Sequence, residues 1–463
     1  MTNEPKRAKN RRKPVAASNN APPVYFLSLE VERVLCFKDR QVLDLSDGNG
    51  NPAQWTVILG NNGVGKTTLL RCLAGMEIEL QTDGREEERP IPILLEGSRS
   101  TLMWQELDSL AESFAEFKLK VAYDDLLSSL RIQYQRDSLK QSQFKRAEIG
   151  VQLFDSYSDD GTPGNKLAGL ICYGYGATRR MGETSLTESF DAENSASLFS
   201  EEASLINAEE LLLQADYSAR SASGKTEERL RKRFNQIIEI LKRILPDVED
   251  IRIAPADEDI PRPRAEFLTP YGWVHLSSLG LGYRTSIAWM VDLAVRLFRR
   301  YLDSEDPLAK PAIVLVDEID LHLHPKWQRT IMDFLTERFP NTQFIVTAHS
   351  PLVVQAAKDA NIVLLRREGD RVVIDNNPEI VENWRVDQVL TSVFELTTAR
   401  PADLEPLLAR RKELLSQPDL SKADKAELQE LEAKIGSLPT AETPDDIKAM
   451  DIIRRAAQLL ENS

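Results

Sequence analysis

Gly60-Asn61-Asn62-Gly63-Val64-Gly65-Lys66-Thr67 is a complete phosphate-binding loop, and its flanks set it in the right frame. The apolar run Trp55-Thr56-Val57-Ile58-Leu59 leads into it as a buried strand would, and Thr68-Leu69-Leu70-Arg71-Cys72-Leu73-Ala74 leaves it with the spacing of a helix. Glycines let backbone N–H groups curl round a phosphate, and the following helix adds the positive end of its dipole. Lys66 would then reach the β- and γ-phosphates of a nucleoside triphosphate, and Thr67 would offer its hydroxyl to Mg2+. Residues Gly60 to Thr68 are therefore the expected nucleotide site. A glycine turn that contains Lys-Thr by coincidence is the plain alternative, and the strand before and helix after the loop speak against it.

Further along, Ala312-Ile313-Val314-Leu315-Val316 is apolar throughout and ends in Asp317-Glu318. A strand without polar alternation is buried on both faces, as in a parallel sheet, and ligands of such sheets lie at the carboxyl ends of the strands. Asp317 is then expected in the Mg2+ shell, and Glu318 as the group that polarises the attacking water. An acidic pair here can also be no more than a helix N-terminal signal; the P-loop upstream favours catalysis. The next apolar run, Gln343-Phe344-Ile345-Val346-Thr347, leads into Ala348-His349-Ser350-Pro351. His349 could there reach a γ-phosphate, the bland alternative being a capping or core histidine. Of the four histidines, His322 and His324 alternate in Leu-His-Leu-His-Pro. An interface or structural role is expected for them, because no cysteine or carboxylate cluster completes a metal-ligand set.

Strands alternating with helices predict an α/β fold with a mixed, mostly parallel sheet. Residues 25–45 read as two strands about the turn Lys38-Asp39-Arg40, and helices are expected near 207–215 and 227–244. A helix over about 284–300 places Ile287, Met290, Val291, Ala294, Leu297 and Phe298 on one face, and a later one carries Trp327, Ile331, Phe334 and Leu335. Residues 77–166 turn irregular and charged, with helices expected over 108–117 and 123–145. They are expected to form an inserted helical lobe in a core split into 24–76 and 167–383, which resumes at a strand over 167–173. The Ser- and Glu-rich span 182–203 reads as a mobile linker. From 384 to 463 the pattern is helical, with start signals at Ser421 with Asp424 and at Thr443-Pro444-Asp445-Asp446, and a stop at Gly436.

At 463 residues and 42% hydrophobic content the chain can bury a large core and hold two or three domains. A net charge of −15 argues against a surface made wholly for nucleic acid. The exception is Lys6-Arg7-Ala8-Lys9-Asn10-Arg11-Arg12-Lys13, within residues 1–23, which read as a disordered basic tail. Three cysteines without a CxxC spacing indicate neither a disulfide frame nor a zinc site. No apolar run approaches the roughly 18 residues of a membrane span, so a cytoplasmic protein without a membrane partner is expected.

In this order, Gly-Asn-Asn-Gly-Val-Gly-Lys-Thr, Asp-Glu-Ile-Asp-Leu-His-Leu-His-Pro and Thr-Ala-His-Ser-Pro resemble the ABC/SMC-like ATPases. That group contains RecF-like and OLD-like proteins and the ATPase subunits of bacterial anti-phage systems, and the likeness is greatest to the Septu-type and retron-associated ones. It runs through motifs within about residues 24–365. It implies a P-loop ABC-type ATPase core that uses ATP and Mg2+, with ATP held between the P-loop of one subunit and a signature segment of another. The matching segment is Leu276-Ser277-Ser278-Leu279-Gly280-Leu281-Gly282-Tyr283-Arg284-Thr285. Aligning Gly282-Tyr283-Arg284 with the family's Gly-x-Arg puts Gly280 at the signature serine position, whereas Ser277 and Ser278 fit in a shifted register. Gly280, Gly282 and Arg284 are thus implied on the nucleotide. Gln133, Gln135, Gln141, Gln143 and Gln152 all qualify for the family's glutamine loop. Tyr173-Gly-Tyr-Gly-Ala-Thr-Arg-Arg180 resembles a further family element, with Arg179 and Arg180 available for phosphate or subunit contacts.

The function so implied is an ATP-hydrolysing sensor or switch of an anti-phage complex. It would form a homo-dimer or higher homo-oligomer and control a separate effector protein, a nuclease. Nucleic acid stays open as a further partner. A RecF-like DNA-repair ATPase is the alternative; a transporter subunit fits less well, because the chain between Lys66 and Asp317 is far longer than such a compact subunit needs. No histidine follows His349, and no Glu-Gly together with Asp-x-Asp occurs between Leu352 and Ser463, so a nuclease would be another chain. The apolar stripes Leu404, Leu407, Leu408, Leu414 and Leu415, then Leu428, Leu431 and Ile435, fit assembly or effector docking and packing on the chain's own core equally well.

Overall fold

The computed structural model describes residues 24–32, 34–75, 78–81, 91–94, 116–123, 129–137, 145–155, 172–182, 194–258, 261–275, 281–378, 385–394, 396, 404–415 and 421–435. It begins with an antiparallel pair, β1 (Val24–Glu32) and β2 (Gln41–Asp44). Burial along β1 changes phase, with Val24 and Phe26 covered and then Leu29 and Val31. A bulge between Phe26 and Ser28 accounts for this, since one extra residue switches which parity faces inward. Next, β3 (Trp55–Gly60), buried at every position, runs into the P-loop and α1 (Lys66–Ala74). Five strands follow: β4 (Ile78–Gln81), β5 (Ile91–Leu94), β6 (Glu116–Tyr123), β7 (Ser129–Asp137) and β8 (Lys145–Asp155).

After β9 (Cys172–Tyr175) come α2 (Ala196–Phe199), α3 (Ala208–Ser221) and α4 (Lys225–Ile244). An antiparallel ribbon of β10 (Asp250–Ala254), β11 (Arg264–Thr269) and β12 (Gly272–His275) leads to α5 (Leu281–Arg300). The closing stretch alternates β13 (Ala312–Val316), α6 (Pro325–Gln328), α7 (Ile331–Arg338), β14 (Thr342–Thr347) and α8 (Pro351–Ala356). It ends in the hairpin β15 (Asn361–Glu368) and β16 (Arg371–Asp375).

The main sheet has the order β16-β15-β3-β14-β13-β9. β3 is parallel to β15 and β14, and β13 is parallel to β14 and β9, while β16 runs antiparallel to β15. This is the expected mixed, mostly parallel α/β sheet, and burial on both faces is why β3, β13 and β14 lack polar alternation. Cross-strand neighbours Trp55 and Phe344 stack with ring centroids 4.3 Å apart, a contact worth about 0.5–1.5 kcal/mol beyond its area. Gln343 on β14, though polar, is buried, because its amide clasps the Phe26 backbone of β1. Phe26 N–H donates to Gln343 Oε1 at 2.9 Å, and Gln343 Nε2 donates to the Phe26 carbonyl at 2.8 Å. Helix α5 is covered beyond the expected stripe, at Ala288, Trp289, Leu293 and Val295 as well. Among the described residues no helix is long and apolar enough to cross a membrane.

The chain divides into two compact units, Met1–Trp384 and Arg385–Ser463. The second contains α9 (Val386–Ser392), α10 (Glu405–Leu415) and α11 (Lys422–Ile435). Arg410 forks onto Glu427 at 2.8 and 3.0 Å, and Leu414 and Leu431 are buried. The start signal at Ser421 is a reciprocal cap: Ser421 N–H donates to Asp424 Oδ2 at 3.0 Å, and Asp424 N–H to Ser421 Oγ at 3.2 Å. The basic tail 1–23, Gly436 and the signal at 443–446 lie outside the described residues.

The stretch 77–166 corrects its sequence reading. Where described, it is strand: 116–117 of the helix expected over 108–117 belong to β6, and 123, 129–137 and 145 of that expected over 123–145 to β6, β7 and β8, while 108–115, 124–128 and 138–144 lie outside the described residues. The governing signal is period-two alternation: Phe117, Leu119, Val121; then Leu130, Ile132, Tyr134; then Ala147, Ile149, Val151, Leu153. The charged residues between them suggested exposed helix and are instead the alternate positions of strands. β8 pairs with β1 from Val24 opposite Asp155 to Glu32 opposite Glu148, in an antiparallel sheet of order β2-β1-β8-β7-β6. The strand expected at 167–173 is β9, and 156–171 lie outside the described residues. Of the expected linker, 183–193 are likewise outside, but Ser197, Leu198 and Phe199 of α2 are buried. Gly176 permits that packing, since a Cβ there would lie 2.2 Å from the Ser197 carbonyl oxygen.

Candidate functional site

The P-loop requires glycine at two close approaches. Gly60 has φ 146° and Gly65 φ 90°; a Cβ would meet the Leu365 carbonyl oxygen at 2.7 Å in the first and Cys36 Sγ at 2.6 Å in the second. Asn61, Asn62 and Gly63 are exposed, Val64 is buried, and Thr67 and Thr68 are half-buried at the start of α1. Lys66 is buried, and its Nζ donates to the carbonyls of Gly60 at 2.8 Å and Asn61 at 2.9 Å. Burial pushes its pKa down, and the charges of Asp317, Glu318 and Asp320 oppose that fall.

Parallel pairing brings the ends of β13 and β14 beside the loop. Asp317, buried at the end of β13, accepts from Thr67 Oγ1 on Oδ2 at 2.7 Å and from Thr347 Oγ1 on Oδ1 at 2.6 Å. The Thr347 hydroxyl in turn accepts from Glu318 N–H at 2.7 Å. Glu318 sits in the left-handed region at φ 49°, and its Oε1 is 4.0 Å from His349 Nε2. The two side chains are 36% and 32% exposed, so this end of the site is open to a ligand. Lys66, Thr67, Asp317, Glu318 and His349, chosen from sequence as separate motifs, thus converge. The donor set suits Mg2+: a hydroxyl and a carboxylate, both hard oxygens beside a phosphate loop, leave the remaining positions to phosphates and water. Among the described residues no group of three or more His, Cys, Asp or Glu could hold a metal. His324 has a local task, its Nδ1 accepting from Lys326 N–H at 3.2 Å as the cap of α6.

Two site residues were not assigned roles from sequence. Thr347 links both carboxylate residues, and Asp320 Oδ2 accepts from His349 N–H at 3.1 Å while its Oδ1 is buried without a partner. Both lie inside the motifs Asp-Glu-Ile-Asp and Thr-Ala-His-Ser-Pro, which was the signal available. Of the implied signature residues, Gly280, like Ser277 and Ser278, lies outside the described ones. Gly282 is in the first turn of α5, and Arg284 is half-buried with Nε buried and unpartnered. Gln133 and Gln135 lie on β7 and Gln152 on β8; Gln141 and Gln143 fall outside the described residues.

Arg179 corrects its expectation. It is 1% exposed, and so is not available to a phosphate or a partner surface; Arg180 beside it is exposed. Arg179 Nε donates to the Gly176 carbonyl at 3.2 Å, and Nη2 donates to the carbonyls of both Asp317 and Glu318. Burial pulls its pKa down to about 10 against the pull of Asp317, Asp320 and Glu318, so it is charged at neutral pH.

A second buried carboxylate lies on α5. Asp292 Oδ2 accepts from Tyr175 Oη at 3.0 Å and from Arg296 Nε at 2.6 Å, and its Oδ1 accepts from Ile206 N–H at 3.1 Å. Burial, with the Asp292 charge beside it, pushes the Tyr175 pKa well up.

Comparison with known proteins places this geometry in a family. The Septu protein PtuA of Bacillus mycoides (strain KBAB4) is 25% identical over 398 residues, covering 85% of this chain and 48% of that protein. The retron Ec83 probable ATPase of Escherichia coli is 34% identical over 180 residues, 38% of this chain and 32% of that one. The chain therefore spans about half or less of the length of these relatives. The SMC head domain from Thermotoga maritima superposes with a TM-score of 0.34 at 12% identity, covering 76% of this chain and 98% of that domain. A family model described as "AAA domain, putative AbiEii toxin, Type IV TA system" matches residues 55–355, a stretch that begins at β3 and runs past His349. That match takes in most of the chain and the whole P-loop and carboxylate apparatus, and the chain belongs to this AAA-domain family of P-loop ATPases.

Proposed function

We propose that this chain binds and hydrolyses ATP in the cytoplasm as the switch subunit of a bacterial anti-phage defence complex, controlling a separate nuclease effector. The ATPase reading is carried by the hydrogen-bond chain from Thr67 through Asp317 and Thr347 to Glu318, which joins the phosphate loop to the strand-end carboxylates. Lys66 and the loop amides would hold the β- and γ-phosphates, and Thr67 and Asp317 would hold Mg2+. Bound there, Mg2+ supplies positive charge against the phosphates. Glu318 orients and polarises the attacking water, and His349 faces the γ-phosphate. The P-loop leaves one side of that phosphate uncovered. A second copy closes it with Gly280, Gly282 and Arg284, so that ATP joins a homo-dimer. The defence role is supported by the Septu and retron relatives, and the unit 385–463 is assigned to assembly or effector docking.

The test is ATP turnover and nucleotide binding in single variants. Lys66→Ala is expected to abolish binding of a fluorescent ATP analogue. Glu318→Gln is expected to keep it, slow hydrolysis by about 10²-fold or more, and leave an ATP-bound assembly visible by light scattering. Mixing Lys66→Ala with Gly282→Asp chains should restore part of the activity, since one intact composite site can form. Full turnover by Glu318→Gln removes that residue from the proposed role.

A further inference from the structure

Where β13 ends, the backbone carbonyls of Asp317 and Glu318 no longer have a strand beside them. The last bond from β9 is the Tyr175 carbonyl accepting from Asp317 N–H at 2.8 Å. Beyond it, one nitrogen of a fully buried guanidinium bonds both carbonyls, and the Arg179 Nε bond to Gly176 ties the fork to its own loop. The Glu318 residue is consequently gripped from two sides: its N–H by Thr347 at the end of β14, and its C=O by Arg179 beyond β9, together with the turn bond it accepts from Leu321 N–H at 3.0 Å. Its φ of 49° lies in the left-handed region, at a cost of roughly 1–2 kcal/mol for a side chain of this kind. Arg179 itself is left-handed at φ 36°. Such conformations persist where the surroundings over-determine them, and they cluster at functional sites.

We propose that Arg179 is a positioning residue for hydrolysis: by holding the carbonyls of Asp317 and Glu318, it fixes the direction in which the Glu318 carboxylate leaves the end of β13. The inference rests on the role given to Glu318 above. The planar guanidinium holds three carbonyls in one fixed frame, Gly176 on Nε and both Asp317 and Glu318 on Nη2, whereas a lysine ammonium is a point charge on a flexible chain. Loss of the guanidinium leaves the Glu318 peptide only its bonds to Thr347 and Leu321, which loosens its hold on the left-handed region and lets the carboxylate drift from the water it must orient. Neither the P-loop nor Lys66 is touched by this change.

The experiment compares Arg179→Met, Arg179→Lys, Glu318→Gln and the double variant Arg179→Met/Glu318→Gln in the full chain. It reads kcat, KM, fluorescent ATP-analogue affinity and thermal melting. Arg179→Met is expected to lose about 10²-fold in kcat, the scale set by misplacing a reacting group by an ångström, with KM and analogue affinity within about threefold of the parent. Arg179→Lys should recover part of kcat. The double variant should be no slower than Glu318→Gln alone, because both changes remove the same contribution. A purely structural arginine would lower the melting temperature and leave the folded fraction turning over at the parental rate. Parental kcat in folded Arg179→Met overturns the inference, as does additivity. If Arg179→Met does not fold, Arg179→Lys decides by the same readings. Loss of folded protein in both assigns the guanidinium to the fold alone and overturns the inference too. Failure of the underlying reading has a different signature: Glu318→Gln alone would turn over ATP at the parental rate.

Discussion

Two buried aspartates, Asp317 at the end of β13 and Asp292 in the middle of α5, are built on opposite plans. Both are nearly sealed from water, at 6% and 0% exposure. Asp292 keeps company with a guanidinium, a phenol and a backbone amide, so its charge is matched in place. Asp317 receives two neutral hydroxyls on its carboxylate, while the buried cations near it, Lys66 and Arg179, donate to backbone carbonyls. A carboxylate whose charge is already matched is a structural joint. One whose hydrogen bonds come from hydroxyls is aimed without a cation in direct contact, which suits it to take a divalent cation.

Cutting each joint should separate the two plans. Asp292→Asn removes the buried carboxylate charge that Arg296 and Tyr175 are bonded to and should cost about 3–5 kcal/mol of stability, read in denaturant unfolding, with turnover per folded molecule little changed. Asp317→Asn should do the reverse. Mg2+-dependent turnover falls by at least about 100-fold, the upper end of what disturbing a metal site costs, while stability stays within about 1 kcal/mol because an amide can still meet both hydroxyls. A comparable loss of stability in both variants would erase the distinction. Thr347→Val, which removes the hydroxyl shared by Asp317 and Glu318, should lower turnover by about 10–100-fold and raise the Mg2+ needed for half-maximal rate. An unchanged Mg2+ dependence would detach Thr347 from the metal side.

The mildest test concerns Glu266, whose carboxyl is held below its ordinary pKa by Arg252 first and then Arg264. A depressed folded pKa means that the unfolded chain takes up the proton more readily, so this contribution is present at neutral pH and lost on acidification. The melting temperatures of the parent and Glu266→Gln should therefore differ at pH 7 and converge as pH falls through the carboxylate range. A constant gap would place the contribution outside the ion pairs.

Why some of this was legible in the sequence and some not follows from the range of each signal. The P-loop, β3 and the carboxylate end of β13 could be read because glycine spacing and unbroken apolar runs are local signatures. The strands from Glu116 to Asp155 also carried a local signature, alternation, but dense Lys, Arg, Gln and Glu masked it. Helix α2 was hidden by Ser and Glu at its flanks, and its cover depends on Gly176, far from it in the chain. Arg179 could not be read at all: in sequence it is one of two adjacent arginines, and only the fold decides that it is buried and Arg180 is not. The Thr347 bridge likewise needs β13 and β14 side by side before its hydroxyl has anything to join.

The clasp of Gln343 on Phe26 has a mechanical consequence. It joins the main sheet to the Phe26 backbone of the five-stranded sheet through a side chain, one rivet among several, since Asn361, Asn376 and Gln41 also tie β2 to the β15–β16 side. Shearing them apart there would break two buried hydrogen bonds and strand their polar groups, at about 1–3 kcal/mol each, so a pull on β1 is passed to β14 at this point. β14 ends at Thr347. Load applied to the outer sheet therefore has a stiff linkage to the hydroxyl that sets both acidic residues, and the rivet makes the far sheet a handle on the site.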